Sequence, residues 1–287
     1  MDWNLKPGAE LVPGRFIQER LGGGERYEAF LTWNEEMLCP TVVKVLRPDL
    51  VDDPASRRVI AREGAMLERL DHPYFLRILG RDTEGPRPYL EIEFLDGPRL
   101  STLLYRHGIL SSEQLLPLGR QLAGGIHYLH QQGLLHLDVK PRNIIMGPVP
   151  RLIDLSVARG IDEVHELRSP VGTDAYMAPE QCDRARLATI GPPADVWGLG
   201  VTLYEAASRQ LPYPGGRRDG SDLERWPQLD GDAHPMPRKV HADVAAVIMR
   251  CLARDPAARP TPYELFAAFD DLAALHGRNR RRLIRPS

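Results

Sequence analysis

Along the first third of the chain, short apolar runs alternate with polar residues and are interrupted by glycine or proline, a pattern typical of β-strands. The clearest run covers residues 41–46 and ends before Pro48. Strands are predicted over residues 16–21, 27–31, 41–46, 75–79 and 88–94. Between the third and fourth of these, apolar residues recur every three or four positions, which predicts a helix over residues 55–70.

After residue 98 the apolar positions follow a helical period for most of the chain. Helices are predicted over residues 111–129, 194–208, 241–253 and 262–275, and short strands over 144–146 and 152–153. The stretch 156–177 has no sustained period and is expected to be a loop, and residues 212–237, rich in glycine and proline, are expected to be irregular. The pattern therefore predicts an α+β chain, with a small β-rich lobe followed by a larger, mainly helical lobe.

Composition narrows the class of protein. The chain has 287 residues, of which 43% are hydrophobic and 26% charged, with a net charge of −2. This balance argues against a chain built around nucleic acid or an anionic membrane surface. The sequence shows neither a membrane-length apolar stretch nor a signal peptide at its first residues. Its three cysteines have no metal-ligand spacing. A cytoplasmic, reducing location is expected.

Lysine is scarce in this chain. Only four of the 37 basic residues are lysines, namely Lys6, Lys44, Lys140 and Lys239. Because lysine is a compact point charge and arginine a planar fork, a chain that uses arginine for general surface charge keeps lysine where arginine would not serve. Lys44 and Lys140 are therefore candidate functional residues.

Lys44 lies in the strand-like run 41–46, between two valines. Its side chain either extends to solvent or meets a phosphate and a carboxylate. Glu63, on the following helix, is the candidate carboxylate partner, or else part of a solvated helix face. The turn at Gly22, Gly23 and Gly24 can present backbone N–H groups to a phosphate, or it is a plain flexible hairpin.

A second polar group follows the helix predicted over 111–129. Asp138, Lys140 and Asn143 stand within six residues and can together hold a hydroxyl substrate, a transferring phosphate and a metal ion. The alternative is a polar turn capped by its Asp and Asn side chains. Asp154 follows a short strand, and with Asn143 it offers the oxygen ligands that Mg²⁺ prefers.

Taken in order, these pieces resemble the eukaryotic-type serine/threonine protein kinases over about residues 16–275. The matching positions are Leu21 to Gly24, Val42 to Lys44, Glu63, His136 to Asp138, Lys140, Asn143, Asp154, Met177 to Glu180, Asp195 to Gly200, Asp255, Pro256, Arg259 and Pro260. Each match is weak alone, but the ordered set is specific. The arginine-rich composition indicates a bacterial member.

The resemblance implies a bilobal protein-kinase fold with one regulatory helix in the small lobe. It implies an N-terminal extension at 1–13, a kinase domain at 14–275 with lobes 14–95 and 96–275, and a basic tail at 276–287.

The resemblance also implies roles for the catalytic positions. Lys44, held by Glu63, is expected to contact the α- and β-phosphates of ATP. Asp138 is expected to accept or orient the proton of the substrate hydroxyl, and Lys140 to neutralise charge on the transferred phosphoryl group. The pairing of Lys140 with Thr173 is that of Ser/Thr rather than Tyr kinases.

Cofactor and nucleotide contacts follow from the same resemblance. Asn143 and Asp154 are expected to hold Mg²⁺, with Mn²⁺ as an alternative. The apolar slot for adenine is expected from the side chains of Ala29, Val42, Ile92 and Ile145. Further nucleotide contacts are expected from Leu21, Gly22, Gly23 and Gly24, and from the backbone of Glu93 and Leu95. Glu180 and Arg259 are expected to form a buried structural ion pair.

Three positions depart from the family pattern. Tyr27 replaces the third glycine of the glycine-rich loop, so the grip on the phosphates is expected to differ. Leu137 replaces the arginine that usually pairs with a phosphate on the activation loop, so activity is expected to depend little on that phosphorylation. Ser156 replaces a glycine after Asp154 and is expected to restrict the backbone there.

The expected function is transfer of the γ-phosphoryl group of Mg-ATP to Ser/Thr hydroxyls of a protein substrate, in signalling. The alternatives are a nucleotide-binding pseudokinase or scaffold with negligible transfer, and a small-molecule phosphotransferase on a similar fold. Neither a nucleic-acid partner nor a membrane segment is expected, and homodimerisation stays open.

Overall fold

The computed structural model describes residues 2–183, 185 and 189–283, with side chains up to residue 275. The chain divides into two compact units, Met1–Asp96 and Gly97–Ser287. The division falls two residues before the change of pattern noted after residue 98. The last four residues of the expected basic tail, 284–287, lie outside the described part.

Unit 1 is an antiparallel sheet with one long helix. Its strands are β1 (Glu10–Val12), β2 (Arg15–Gly23), β3 (Tyr27–Asn34), β4 (Cys39–Leu46), β5 (Ile78–Asp82) and β6 (Tyr89–Glu93), and its helix is α1 (Pro54–Glu68). The strands lie in the order β1-β2-β3-β4-β6-β5. Sequence neighbours pair as hairpins except where α1 and β5 intervene between β4 and β6. The first three and the last predicted strands and the helix are confirmed, whereas β5 begins three residues later than predicted.

The register of the sheet sorts its residues onto two faces. Ala29 pairs with Lys44 and Val42 pairs with Ile92, so these four side chains share one face. On the other face a buried apolar cluster forms from Leu11, Val12, Ile17, Phe30, Val43 and Val45. Alternation along β4 therefore places the candidate lysine opposite the face that carries this core.

Residues that the sequence leaves outside the domain take part in this second face. Leu11 and Val12 of β1 are buried, and Trp3 packs against the same cluster. The Trp3 indole N–H donates to the carbonyl of Leu46 at 2.7 Å, and its backbone N–H donates to Glu28 at 2.8 Å. The predicted extension is thus part of the packing of unit 1.

Helix α1 has clear sequence determinants. Asp53 caps its N-terminus by accepting hydrogen bonds from the N–H groups of Ala55 and Ser56, and Pro54 occupies the first turn, where a missing N–H costs nothing. Its apolar face buries Ile60, Met66 and Leu67. Asp53 fixes where the helix begins, and the apolar face fixes which side of it is buried.

Unit 2 is mainly helical. Its helices are α2 (Leu100–His107), α3 (Ser112–Gln131), α4 (Pro179–Cys182), α5 (Pro192–Ser208), α6 (Asp222–Arg225), α7 (Ala242–Cys251) and α8 (Pro262–Leu283). Its strands are β7 (Leu134–Leu135), β8 (Ile144–Ile145), β9 (Arg151–Leu152) and β10 (Arg159–Gly160), which pair as β7–β10 and β8–β9. Helix α5 is buried almost throughout and lies at the core of the unit.

Several elements differ from the sequence prediction. Helix α2 was not predicted, and α8 runs eight residues beyond the predicted end at 275. The expected loop over 156–177 contains β10, which pairs with β7, and two short 3₁₀ segments. A two-residue strand and single helical turns are too short to leave a period in the sequence, so tertiary pairing decides them.

Within the described part of the chain, no helix combines the length and the apolar character needed to cross a membrane.

Candidate functional site

The glycine-rich hairpin joins β2 to β3. Gly22 and Gly23 belong to the end of β2, and the turn itself covers residues 24–26. Gly22 has a φ of 130°, which L side chains rarely adopt, and a Cβ on Gly23 would come within 2.6 Å of the carbonyl oxygen of Tyr27. Leu21 is half exposed beside them. The two glycines let the hairpin close, which is the conformational requirement for a phosphate-facing loop.

Lys44 and Glu63 meet within unit 1, as the sequence predicts. Lys44 Nζ donates to both carboxylate oxygens of Glu63, each at 2.8 Å, and the Glu63 side chain is only 3% exposed. The ring of Tyr27 lies over the same ammonium group, with its centroid 4.3 Å from Nζ. We call these three residues the lysine cluster. A bidentate carboxylate and an aromatic face together fix the ammonium in place.

Gly64 allows α1 to approach the sheet closely enough for this contact. A Cβ at this position would come within 2.8 Å of Leu90 Cδ2 and 2.9 Å of Arg81 Cδ. The preceding residue, Glu63, faces Lys44. Sequence reasoning missed Gly64, because a glycine inside a helical pattern carries no sign of what packs against it.

The residues expected to line the adenine slot lie on two units. Ala29, Val42 and Ile92 share the lysine face of the sheet in unit 1, and Ile145 lies in β8 of unit 2. The backbone N–H of Glu93 donates to the Arg77 carbonyl at 3.0 Å, so this donor is already engaged. Leu95 follows β6, partly exposed.

In unit 2, four predicted residues come together, and we call them the aspartate cluster: Asp138, Lys140, Asn143 and Thr173. Lys140 Nζ donates to Asp138 Oδ2 at 2.6 Å and to Thr173 Oγ1 at 2.5 Å. Asn143 Nδ2 donates to Asp138 Oδ2 at 3.1 Å and to the Asp138 carbonyl at 3.0 Å. The other oxygen, Asp138 Oδ1, is buried and has no hydrogen-bond partner among residues 2–183, 185 and 189–283. A buried carboxylate oxygen without a partner is costly unless a ligand supplies one.

The backbone just before Asp138 is held by the carboxylate of Asp195 in α5. Its carboxylate accepts the N–H groups of His136 at 2.9 Å and Leu137 at 2.7 Å, and it meets His130 Nε2 at 2.9 Å. Burial alone would raise the pKa of Asp195, but the hydrogen bond and charge of His130, together with His136, bring the pKa below its ordinary value. A charged Asp195 is thus the anchor of the loop that carries Asp138.

The anchored backbone adopts an uncommon conformation at Leu137. Its φ is 63°, a left-handed conformation that is uncommon for leucine, and its side chain is buried. His136 accepts the N–H of Asp138 at Nδ1 (3.3 Å), so its proton is on Nε2, which faces the carbonyl of Ile153 at 3.3 Å. The supporting roles of Asp195 and His130 were not assigned from sequence, because Asp195 is 58 residues from Leu137 and nothing in the local pattern of His130 indicates a partner.

Asp154 stands directly after β9 and its neighbour Ile153. It has a φ of 71°, and its carboxylate accepts the N–H of Ser156 at 3.4 Å. Ser156 is not among the described residues with positive φ. Asp154 is therefore the residue of this segment with a left-handed backbone conformation. The backbone at Ser156 does not need the glycine that the family pattern has there.

The comparisons with known proteins agree with this geometry. Residues 16–268 match the sequence profile described as the protein kinase domain. The chain belongs to the protein kinase family.

Its similar relatives are bacterial kinases. It is 31% identical to the "Probable serine/threonine-protein kinase PkwA" of Thermomonospora curvata over 92% of this chain and 35% of that protein. It is 29% identical to the serine/threonine-protein kinase PknB of Mycolicibacterium smegmatis over 84% of this chain and 40% of that protein. It is also 29% identical to the serine/threonine-protein kinase pkn2 of Myxococcus xanthus, over 95% of this chain and 34% of that protein. The chain thus spans between a third and two fifths of the length of these relatives. The expectation of a protein kinase domain that resembles bacterial serine/threonine protein kinases is confirmed.

The kinase activation segment, which follows Asp154, is tied to unit 2 at several points. The Gln181 side-chain amide donates to the carbonyls of Leu137 and Val171, at 3.0 and 3.1 Å. Asp174 accepts from the Arg225 guanidinium at 3.1 Å and from the Trp226 indole at 2.9 Å. None of these contacts was predicted, because Arg225 and Trp226 lie in the stretch that reads as irregular.

The ion pair expected from the kinase resemblance is present. Arg259 donates to both oxygens of Glu180, at 2.6 and 2.9 Å, and both side chains are buried. Arg259 also donates to the carbonyls of Pro193 and Ala253. Through these contacts the pair joins the end of the activation segment to the helical core, and the expected buried ion pair is confirmed. Its structural role stays a prediction.

Proposed function

We propose that the chain is an ATP-dependent serine/threonine protein kinase, which transfers the γ-phosphoryl group to a hydroxyl of a protein substrate. The observation that carries the proposal is the asymmetry of the Asp138 carboxylate. Oδ2 is engaged by Lys140 and Asn143, whereas Oδ1 is buried without a partner in the described residues. A substrate hydroxyl would supply the missing hydrogen bond.

In the proposed reaction, the substrate hydroxyl oxygen attacks the γ-phosphorus and the bond from that phosphorus to the β–γ bridging oxygen breaks. ADP leaves with the bond electrons, and the hydroxyl proton passes to Asp138. Lys140, 2.6 Å from Asp138 and 2.5 Å from Thr173, is placed to neutralise charge on the transferring group. Lys44, oriented by Glu63, binds the α- and β-phosphates.

The donor set fits a divalent metal ion. The amide nitrogen of Asn143 is occupied by Asp138, so its amide oxygen is the atom available to a cation. That oxygen and the carboxylate of Asp154 are the few hard ligands that Mg²⁺ takes in addition to phosphate oxygens and water. Bound Mg²⁺, or Mn²⁺ in its place, would supply charge neutralisation on the nucleotide phosphates.

Acceptance of protein hydroxyls is supported by the contact between Lys140 and Thr173. This contact fixes one end of the segment that runs to Glu180, and Gln181 and Arg225 fix the segment at other points. A segment held in this way offers a surface for an extended peptide. The small-molecule phosphotransferase has no observation in its favour.

We further propose that activity depends little on activation-segment phosphorylation. At the position where a phosphate-binding arginine is usual, Leu137 is 2% exposed and carries no charge. The contacts made by Gln181, Arg225 and the β7–β10 pair hold the segment without any phosphate. Cytoplasmic location and homodimerisation stay predictions from the sequence.

The test is phosphate incorporation from γ-labelled Mg-ATP into a generic basic protein. Wild type is compared with Asp138→Asn and with Asp162→Asn, an exposed aspartate of the activation segment. We expect Asp138→Asn to lower the rate by about 10²- to 10⁴-fold and Asp162→Asn to leave it unchanged. If wild type binds nucleotide and shows no incorporation, the chain is the pseudokinase scaffold instead.

A further inference from the structure

Tyr27 occupies a position where the family pattern has a glycine. It is the first residue of β3 and is 8% exposed. A large aromatic side chain therefore lies inside unit 1 at the point where the family pattern supplies no side chain at all.

The sheet register places the ring beside the candidate phosphate-binding lysine. Tyr27 pairs with Leu46 and Ala29 pairs with Lys44, so Tyr27 and Lys44 are diagonal neighbours on one face. The Tyr27 ring centroid lies 4.3 Å from Lys44 Nζ, well within the range of cation–π attraction. The Lys44 side chain is 15% exposed.

Several sides of the Lys44 ammonium are therefore already in contact with other groups. Two of its N–H groups are directed at the two oxygens of Glu63, and the Tyr27 ring covers a further side. A phosphate that approaches Lys44 competes with these contacts. The carboxylate bonds are the stronger, so the ring is the group that an incoming phosphate displaces.

The backbone under the ring is fixed. The N–H of Gly24 donates to the Tyr27 carbonyl at 2.9 Å, and Arg47, next to the partner residue Leu46, donates to the Gly24 carbonyl at 2.9 Å. Displacement of the ring is therefore a rotation of the side chain. A substitution at Tyr27 then removes the ring and leaves these backbone contacts in place.

We propose that Tyr27 is an affinity-setting residue: its ring covers Lys44 and must move away when the phosphates of a nucleotide bind. The inference rests on the proposed function, in which Lys44 binds those phosphates. It assigns Tyr27 an effect on the phosphates alone. The adenine contacts are expected at other residues, Ala29 and Val42.

The experiment is calorimetric titration of the full chain with Mg-ATP and, separately, with adenosine. Tyr27→Gly and Tyr27→Leu remove the aromatic face, and Leu keeps an apolar side chain in case Gly weakens the strand. Both are expected to bind Mg-ATP about five-fold more tightly than wild type, and adenosine with unchanged affinity. Tyr27→Phe keeps the ring and is expected to match wild type with both ligands.

Other results would overturn the proposal in distinguishable ways. If wild type binds Mg-ATP and neither Gly nor Leu binds it more tightly, the covering role of Tyr27 is wrong and the proposed function stands. If affinity for adenosine changes in parallel with that for Mg-ATP, Tyr27 acts on the hairpin as a whole. If neither wild type nor any variant binds Mg-ATP, both the covering role and the proposed function are wrong.

Discussion

The lysine cluster of unit 1 and the aspartate cluster of unit 2 satisfy their charged groups in opposite ways. In the lysine cluster, Glu63 takes two hydrogen bonds from Lys44 and Tyr27 covers the same ammonium. In the aspartate cluster, Lys140 and Asn143 both bind one oxygen of Asp138, and the other oxygen is buried without a partner in the described residues.

The two clusters would therefore receive a ligand in different ways. In the aspartate cluster, the folded protein already includes the free-energy cost of burying Asp138 Oδ1 without a partner. A hydroxyl that reaches this oxygen therefore gains a hydrogen bond without displacing another contact. The lysine cluster is stable by itself, and a phosphate must compete with contacts that the cluster already makes. Substitutions in the aspartate cluster should therefore change the rate of transfer, and those in the lysine cluster the affinity for nucleotide.

After the loss expected for Asp138→Asn, the largest effect is expected from Lys140→Ala. This substitution removes the cation that contacts both Asp138 and Thr173, and with it the charge that opposes the developing negative charge on the phosphoryl group. We expect kcat to fall by about 10²-fold while the Kd for Mg-ATP stays within experimental error. Steady-state rates and calorimetric titration on the same preparation measure the two quantities.

Thr173→Ser is the matched control for Lys140→Ala, because it keeps the hydroxyl that accepts from Lys140. Its kcat should stay close to that of wild type. If Lys140→Ala instead raised the Kd for Mg-ATP and left kcat intact, the division of labour between the two clusters would be wrong.

A smaller effect is expected from Gly64→Ala in α1. The new Cβ would lie within 2.8 Å of the Leu90 side chain and 2.9 Å of the Arg81 side chain, so either these side chains or α1 must move. A shift of α1 away from the sheet would carry Glu63 with it. The KM for ATP should rise about three- to ten-fold. The close contacts should also lower the stability of the fold, and the better helix propensity of alanine offsets part of that loss.

The control for Gly64→Ala is Ala65→Gly at the exposed neighbouring position of the same helix. It lowers helix propensity without touching the sheet, so the melting temperature should fall and the KM for ATP should not change. An unchanged KM in Gly64→Ala would show that the distance between Lys44 and Glu63 does not depend on how closely α1 packs.

How far the sequence predicted this site depends on the range of the interactions. Lys44, Asp138, Lys140 and Asn143 were predicted from residue type and spacing together with the family resemblance, and the structure brings each of them to a partner that was also named. These groups lie in short motifs, where local order in the chain reflects local order in space.

Contacts between remote segments could not be predicted. Asp195 anchors the backbone of Leu137 from 58 residues away, and Arg225 binds Asp174 from 51 residues away. Nothing in the local pattern of Arg225 distinguishes it from other surface arginines. The position of Tyr27 was noticed as a departure, but its contact with Lys44 depends on the register of β3 against β4, which the sequence does not show.

The smallest effect is expected from removing phosphate from the activation segment. Leu137 offers no charge for a phosphate to pair with, and Gln181 and Arg225 hold the segment through groups that phosphorylation does not supply. Treatment with a broad-specificity phosphatase, checked by intact mass and followed by removal of the phosphatase, should change kcat by less than about two-fold. Leu137→Arg is the informative companion, because it restores a cation that a phosphate could pair with. A strong loss of activity in wild type after dephosphorylation would show that the activity does depend on this phosphorylation and that the proposal is wrong.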